Sequence, residues 1–358
     1  MARKRGKKKT TSKKKSIKGA SAELSPSEYL NSAIGGVIQA RALGVAAEFG
    51  IADLVADEPK SVDELAGIIG CHRDSLYRLL RALAGRGVFA ENEEGLIELT
   101  ERAALLRSDH PDSMREFFML EWQDTLWSGY LALPRAIRTG EIAFELATGS
   151  GLFDYLKENP GLGAIFNRRM ADMSNAENGP IAAAYPFEEA GAIIDVGGGH
   201  GGLLAKIVER YPGVNVALFE QAEVLSNKDD LIGAGLPDSA ARIAGDFFTE
   251  IPAGFNIYLL KRILHDWDDQ RAITVLSRCR EAMTPDSHVL VAEAVIQEGN
   301  GPDPNKDMDL DIMLLTPGRE RTEAEFRVLF EAAGLELMQV IKTKKPSTLS
   351  LLEAVVAD

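Results

Sequence analysis

AIIDVGGGHGG, residues 192–202, is the stretch that decides the fold of this 358-residue chain. Its first five residues are mostly branched and apolar, which is typical of a buried strand. Five glycines follow, and apolar residues at helical spacing then predict a helix: Leu203, Leu204, Ile207 and Val208. Glycine adds no side chain and tolerates positive φ. This strand, turn and helix can therefore bring backbone N–H groups close to a nucleotide-like ligand.

Acidic residues at the ends of the following strands indicate what that ligand contains. The glycines satisfy a G-x-G-x-x-G pattern, which alone is weak evidence because dinucleotide sites share it, at Gly197, Gly199 and Gly202. Glu220 ends a predicted strand at 214–219, where a carboxylate can accept hydrogen bonds from ribose hydroxyls. Asp246 lies in the segment GDFF, whose Phe247 can flank an adenine ring.

Further motifs follow in order: LKRILHDWDD at 260–269, VAEAVI at 291–296 and GRERTEAEF at 318–326. Together with DVGGGHG and GDFF, they resemble the S-adenosylmethionine-dependent O-methyltransferases of the plant caffeic acid and hydroxyindole type and their bacterial relatives on polyketide and phenazine pathways. The resemblance covers roughly residues 30–355. It implies an α/β fold, the Rossmann-like doubly wound sheet of class I methyltransferases, preceded by an α-helical winged-helix dimerisation domain.

The same resemblance implies the activity and the site. It predicts that S-adenosylmethionine donates a methyl group to a phenolic hydroxyl of a small aromatic metabolite. The predicted catalytic residues are His265, Glu293, Glu320 and Asp266. The predicted cofactor-binding residues are Gly197, Gly199, Glu220, Asp246, Phe247, Lys261 and Ser174. The predicted substrate pocket contains Met170, Met173 and Met313, and no metal ligands are expected.

Histidine suits the role of general base at His265. A phenol with a pKa near 10 is poorly ionised at neutral pH, whereas a histidine with a pKa near 6.5 can accept its proton. A carboxylate beside the second ring nitrogen would set the tautomer and stabilise the imidazolium as it forms, which is the role assigned to Glu293 and Glu320. An alternative for Glu320 is a salt bridge at a helix start, with Arg319 or Arg321. His200, in the glycine turn, is a weaker candidate for the base.

Four segments are predicted along the chain: a disordered basic tail at 1–25, a winged-helix domain at 26–110, a helical linker contributing to the acceptor pocket at 111–186, and the cofactor-binding catalytic domain at 187–358. In the last segment, strands predicted to alternate with helices indicate a parallel sheet covered on both faces: 192–196, 214–219, 241–244, 255–260, 288–295, 335–341 and 349–355. The short link between the last two predicts an antiparallel hairpin.

The winged helix leaves two interpretations open. The second helix of this domain is predicted at 73–86. It could hold DNA phosphates through Arg73, Arg78, Arg81 and Arg86. Acidic residues, however, lie where DNA would bind: Asp74, Glu91, Glu93 and Glu94. The resemblance implies dimerisation instead, so a homodimer is predicted through this domain and no nucleic-acid partner is expected.

The distribution of charge and the number of cysteines limit the binding partners and the cellular compartment that the sequence predicts. Ten basic residues and no acid lie in residues 1–18, so the rest of the chain carries 30 basic against 54 acidic residues. Such an acidic body does not favour broad contact with nucleic acid or an anionic membrane. Two distant cysteines, Cys71 and Cys279, are consistent with a reducing cytoplasm. The sequence predicts no transmembrane helix.

Three alternative functions remain at this stage. The first is a relative that binds S-adenosylmethionine but catalyses hydroxylation or decarboxylation, which the histidine base argues against. The second is a winged-helix regulator that binds DNA. The third is a nicotinamide dehydrogenase, which would leave HDWDD and GRERT unexplained and lacks a Tyr-x-x-x-Lys pair.

Overall fold

A computed structural model describes residues 24–226 and 228–357. The predicted basic tail, except for its last two residues, lies outside these ranges. The first region combines helices with a small sheet, and its elements are α1 (Pro26–Glu48), α2 (Ile51–Leu54), β1 (Lys60–Ser61), α3 (Val62–Ile69), α4 (Arg73–Ala84), β2 (Ala90–Glu91), β3 (Leu96–Glu98) and α5 (Glu101–Ala104). The strands form one antiparallel sheet in the order β1-β3-β2, as the winged-helix prediction requires.

Reciprocal capping boxes begin two of these helices. Ser25 accepts from the N–H of Glu28, whose carboxylate accepts in turn from the N–H of Ser25. Ser61 and Glu64 form the same reciprocal pair at α3. Each capping box satisfies backbone donors that the first turn of a helix would otherwise leave without partners.

A run of five helices connects this region to the large sheet. They are α6 (Arg115–Glu121), α7 (Asp124–Thr139), α8 (Ala143–Thr148), α9 (Leu152–Glu158) and α10 (Pro160–Ala184). The longest of them, α10, packs against both α6 and α11 (Gly202–Arg210) of the next region. It therefore lies between the linker helices and the glycine turn. The predicted domain limits at 110, 111, 186 and 187 stay predictions.

Seven of the remaining strands, whose bounds follow, build one sheet in the order β11-β12-β8-β7-β4-β5-β6. Neighbouring strands from β8 to β6 are parallel, while β12 runs antiparallel to both β8 and β11. The elements after β4 (Ala192–Val196) and α11 are β5 (Asn215–Glu220), α12 (Ala222–Ser226), α13 (Lys228–Gly233), β6 (Ala241–Ala244), β7 (Ile257–Lys261), α14 (Asp269–Ala282), β8 (His288–Glu293), β9 (Val295–Ile296), α15 (Asn305–Leu315), β10 (Arg321–Thr322), α16 (Glu323–Ala332), β11 (Leu335–Lys342) and β12 (Ser350–Val356). The predicted doubly wound class I methyltransferase sheet and its terminal hairpin are confirmed.

Both faces of this sheet are buried, which explains the uninterrupted apolar runs of its strands. Ile194 packs into a core shared with α14 and α16, and the adjacent Ile193 packs into a second core shared with α11. Successive residues of a strand point to opposite faces, so both must be apolar here. Within the described residues, none of the helices combines the length and apolarity needed to cross a bilayer.

One predicted strand is divided. The run expected at 288–295 leaves the large sheet after Glu293, and Val295–Ile296 pairs in parallel with Arg321–Thr322 in a separate two-stranded sheet. Apolar composition alone did not reveal the break, because Ala294, which lies between the two pieces, is also apolar and is buried like the strand residues beside it. This small sheet joins the motifs VAEAVI and GRERT, and it brings Glu293 and Glu320 to the same place.

Candidate active site

The glycine turn after β4 has no room for a side chain at Gly197. Gly197 has a φ of +71°, and a Cβ there would lie 2.7 Å from a methyl carbon of Ile263 and 3.3 Å from the ring of Phe247. Gly199 has a φ of +57° and faces open space. Its N–H donates to the carboxylate of Glu220 at 3.0 Å. The turn after β4 is thus hydrogen-bonded to the last residue of β5, and the space beside Gly199 is open to a ligand.

A cavity of about 590 Å³ lies at the carboxyl ends of β5 and β6. Asp246, Phe247, Phe248 and Trp267 line it, together with Gln221, the neighbour of Glu220 in sequence. Asp246 accepts from the N–H of Phe248 at 2.9 Å, which orients its carboxylate. Two of the predicted cofactor residues, Asp246 and Phe247, therefore line this space, and Glu220 directly precedes the lining residue Gln221.

Burial and hydrogen bonding act in opposite directions on Glu220. Burial raises the pKa of Glu220, whereas the N–H groups of Gln221 and Gly199 lower it by stabilising the carboxylate. The Gln221 contact is 2.7 Å long. A ligand hydroxyl that donates to this carboxylate would add a further stabilising contact.

Lys261, the last residue of β7, connects the sheet to α10. Its ammonium donates to the hydroxyl of Ser174 at 2.7 Å and to the side-chain oxygen of Asn178 at 2.8 Å. Glu177 lies 3.4 Å away. Burial lowers the pKa of Lys261, and the Glu177 carboxylate opposes that effect. Lys261 and Ser174, both predicted to bind the cofactor, are in direct contact.

Arg262 begins the loop that carries His265, and its backbone is strained. Its φ of +53° is the one positive value found outside glycine in the described residues. Such a conformation costs about 1–3 kcal/mol and persists only where the surroundings impose it. Here Glu177, which is buried, holds the largely buried guanidinium at 2.6 Å. The ion pair therefore compensates for the strained turn before the candidate base.

His265 lies against three carboxylates. Its Nδ1 is 3.0 Å from Oε1 of Glu320, which is hydrogen-bonding distance, and 4.0 Å from Oε2 of Glu293. Its Nε2 is 3.7 Å from Oδ1 of Asp266, too far for a hydrogen bond. All four predicted catalytic residues are thus together, but only Glu320 is hydrogen-bonded to the imidazole.

The carboxylate of Glu293 is held by the backbone of the His265 loop, and the backbone of Glu320 is held by Asp309. Oε1 of Glu293 accepts from the N–H of Ile263 at 2.9 Å and that of Leu264 at 2.8 Å. The N–H of Glu320 donates to Asp309 at 2.8 Å. The second carboxylate oxygen of each glutamate is buried without a hydrogen-bond partner in the described structure. On each carboxylate, one oxygen is therefore free to interact with a positive charge on the imidazole.

The electrostatics of this cluster favour a protonated imidazole. Burial alone would lower the pKa of His265, but Glu293, Asp266 and Glu320 outweigh it and raise the pKa to about 9. Burial raises the pKa of Glu293 to about 7, with His265 lowering it and Glu320 raising it. An imidazolium in this position is stabilised by the carboxylates, which is what a base needs after it has taken a proton.

The segment GRERT closes over the His265 loop. Arg321 is fully buried and donates to the carbonyl of Leu264 at 2.9 Å and that of Trp267 at 2.8 Å. It also pairs with Asp269, while Arg319 pairs with Glu325. The alternative salt bridge from Glu320 to either arginine is therefore not observed. The arginines have other partners, and Glu320 faces the imidazole.

His265, Glu293 and Glu320 place one potential ligand atom each within 4.8 Å of one another, a spacing that a metal ion could also bridge. The hydrogen bond between His265 and Glu320 accounts for the arrangement without an ion. The expectation of a metal-free site stays a prediction.

The predicted pocket methionines lie on two helices, and all are partly buried. Met170 and Met173 are on α10, one turn before Ser174 and Glu177, and Met313 is on α15. Sequence reasoning missed Glu177, Asn178 and Arg262. The signal for the first two was available, because they follow Ser174 by three and four residues and so share its face of α10.

Comparisons with known proteins agree with this geometry. Residues 130–336 match the family model described as an O-methyltransferase domain, and residues 32–109 match the one described as an O-methyltransferase dimerisation domain. A phenazine O-methyltransferase of Lysobacter antibioticus is 41% identical over 317 residues, which cover 88% of this chain and 92% of that protein.

Solved structures match over the same length. The crystal structure of LaPhzM superposes with a TM-score of 0.87 and 39% identity, covering 93% of this chain and 100% of that one. An O-methyltransferase from neocarzinostatin biosynthesis, solved with S-adenosylmethionine and 2-hydroxy-5-methyl naphthoic acid, has a TM-score of 0.75 and 33% identity, covering 88% of this chain and 95% of that one.

Proposed function

This chain belongs to the O-methyltransferase family and is an S-adenosylmethionine-dependent O-methyltransferase; on that premise, we propose that it methylates a phenolic hydroxyl of a small aromatic metabolite, with His265 as general base. The observation that carries the assignment of the base is the hydrogen bond between Nδ1 of His265 and Glu320. It supports a tautomer with the proton on Nδ1, which leaves the lone pair of Nε2 to accept the proton of the acceptor.

The donor site is proposed at the glycine turn and the cavity beside it. When bound, S-adenosylmethionine supplies an electrophilic methyl group on a sulfonium. Glu220 would accept hydrogen bonds from its ribose hydroxyls, and Asp246 with Phe247 would hold the adenine. Ser174 and Lys261 would contact the methionyl end. The open space above Gly199 and the aromatic wall of the cavity support this assignment.

The protein's own contribution to the reaction is proton transfer and positioning. The acceptor hydroxyl gives its proton to Nε2 of His265 as its oxygen attacks. Glu320 accepts the Nδ1–H, and Glu293 adds a second negative charge near the ring that develops positive charge. General-base catalysis of this kind contributes roughly 10²- to 10⁴-fold, and alignment of the attacking oxygen contributes the other large share.

A labelled-methyl assay tests the proposed function. The purified chain would be incubated with S-adenosylmethionine carrying an isotopically labelled methyl group and a panel of phenolic, indolic and quinone acceptors. Mass spectrometry is expected to find the label on an aromatic hydroxyl. Oxidised or decarboxylated product without the label would instead support the non-methylating alternative.

The pH dependence of the reaction follows from the charges around His265. Only the neutral imidazole can accept a proton, and its pKa is raised to about 9. We therefore expect kcat/KM to increase between pH 7 and pH 9 and to level off above. In Glu293→Gln the amide oxygen can still accept from the loop backbone, but the negative charge is lost, so the rise should move to lower pH. A Glu293→Gln profile at or above the wild-type pH would contradict this account.

The N-terminal region supports a homodimer. Tyr29, Leu30, Ile34 and Ile38 lie at helical spacing on α1, and each side chain is at least 65% exposed in the single chain. Such a row of large apolar residues is typical of a protein–protein interface. The family match at 32–109 to a dimerisation domain agrees with a second copy as the partner. The absence of a nucleic-acid partner and a cytoplasmic location stay predictions.

Charge placed on this row is expected to dissociate the dimer. Each buried isoleucine contributes about 1.5–3 kcal/mol, and Ile34→Asp would also bury a carboxylate at both copies of the interface. Light scattering after size-exclusion chromatography should show a monomer for Ile34→Asp. Val328→Asp, at an equally exposed apolar residue on α16, should stay dimeric. A dimeric Ile34→Asp variant would contradict an interface at α1.

A further inference from the structure

The chain leaves the large sheet at Arg262 through a turn that binds a carboxylate. Arg262 is still paired with β8, because its N–H donates to the carbonyl of Ala292 at 3.1 Å. Its φ is +53°, and Ile263 follows in the right-handed helical region with φ of −109° and ψ of −50°. Such a change of hand points successive N–H groups to one side, where they form a concave anion site. The anion here is Glu293, whose Oε1 accepts from Ile263 and Leu264.

This turn contacts the donor site and leads directly to the base. A Cβ at Gly197 would lie 2.7 Å from Cδ1 of Ile263, so Ile263 packs on the glycine turn. His265 follows two residues later, with its Nδ1 4.0 Å from Oε2 of Glu293. A different backbone conformation at Arg262 would therefore displace the base and remove the backbone donors that hold Glu293.

Glu177 holds Arg262 in the observed conformation. Nε of Arg262 donates to both carboxylate oxygens of Glu177 at 3.1 Å, and its Nη2 donates to Oε1 at 2.6 Å. The side chains are only 11% and 6% exposed, respectively. A bidentate pair of this kind fixes geometry as well as charge. One turn earlier on the same helix, Ser174 accepts from the ammonium of Lys261. Helix α10 thus holds two consecutive residues at the end of β7.

The other charged groups around Arg262 do not replace Glu177. Those that act on its guanidinium through charge, without a hydrogen bond to it in the described residues, are Glu293, Glu320, Asp266, Lys261 and Arg169. Its Nη1 is buried without a partner. Within the part of the chain that the structure describes, Glu177 is therefore the acid that orients the arginine.

We propose that Glu177 is a positioning residue for methyl transfer: its ion pair with Arg262 fixes the turn that binds Glu293 and thereby holds His265 at the acceptor. The proposal rests on the proposed role of His265 as base, and it gives Glu177 no contact with donor or acceptor. The ion pair maintains a positive φ, which glycine adopts without support. A glycine at position 262 should therefore make the ion pair unnecessary.

Two double variants of the full-length chain test this proposal, because they differ by one methyl group. Both carry Glu177→Gln, which avoids leaving a buried carboxylate unpaired, and they carry either Arg262→Gly or Arg262→Ala. A positive φ is costly for alanine, so its loop should adopt the competent conformation roughly 5- to 150-fold less often than the glycine loop. On an acceptor from the labelled-methyl assay, kcat of the glycine variant should stay within about threefold of the wild type. The alanine variant should lose kcat by the larger factor.

The titration of His265 provides a readout that needs no turnover. NMR of isotope-labelled histidine would follow the imidazole in the wild type and both double variants, with its signal identified by its absence in His265→Ala. The glycine variant should keep the raised pKa of His265, to which Glu293 contributes. In the alanine variant this pKa should be lower, because Glu293 is no longer held beside the ring.

Equal kcat and equal titration of His265 in the two double variants would overturn the proposal and leave the proposed function intact. This holds whether both variants resemble the wild type or both are impaired, because neither result depends on the backbone conformation at position 262. The expected difference in titration, without methylation of any compound, would support the positioning role of Glu177 and count against the proposed function.

Discussion

Replacing His265 with alanine is expected to lower kcat by about 10²- to 10⁴-fold, the usual share of a general base. The physical reason is that no other group would take the phenolic proton, since the carboxylate of Asp266 beside Nε2 is a much weaker base than the imidazole. The affinity for S-adenosylhomocysteine should change little, because His265 is not among the groups assigned to the donor. Single-turnover rates and calorimetry measure the two effects separately.

His288 provides the matched control for this variant. It also has a carboxylate partner, Glu353, at 2.7 Å. His288 is, however, the first residue of β8, whereas the site lies at the carboxyl ends of the parallel strands. His288→Ala should therefore keep the wild-type kcat. A His265→Ala variant with a rate like that of His288→Ala would exclude the proposed base.

Gly318→Ala is expected to have the second large effect. A Cβ at this position would lie 1.8 Å from the carbonyl oxygen of His265 and 2.5 Å from the carbonyl carbon of Asp266. Both are backbone atoms, so the His265 loop or the GRERT segment must move. We expect a loss of about 3 kcal/mol or more of stability from this overlap. A displacement of about 1 Å at the base should also lower kcat by about 100-fold.

The control for Gly318 is a glycine with free space. Gly213→Ala places its methyl group where no atom lies within 4 Å, and the variant should keep the wild-type Tm and kcat. Thermal unfolding and steady-state rates on both variants test the comparison. A Gly318→Ala variant as stable and active as Gly213→Ala would mean that the two segments are not packed as described.

The features predictable from the sequence are local ones. A strand, a glycine turn and an amphipathic helix each have a pattern within about ten residues, so β4, the turn and α11 were predicted within one or two residues of their observed limits. Capping boxes are equally local, because each depends on residues within one turn of a helix start, as at Ser25 and Ser61. The roles assigned to His265, Glu293 and Glu320 came from motif resemblance, and the structure brings the three side chains together.

Contacts between distant segments could not be predicted from such patterns. The pairing of Val295–Ile296 with Arg321–Thr322 depends on where the chain leaves the large sheet, which apolar composition does not encode. The ion pair of Glu177 with Arg262 joins residues 85 positions apart and compensates for a backbone conformation that no propensity would assign to arginine.

The most direct test of the central claim varies the acidity of the acceptor. Single-turnover rates of wild type and His265→Ala would be measured at one pH on phenols with pKa values from about 10 down to about 6. If His265 removes the proton, the ratio of the two rates should fall steadily as the phenol becomes ionised in solution, because an ionised acceptor needs no base. A ratio that stays constant across the series would show that His265 acts in some other way.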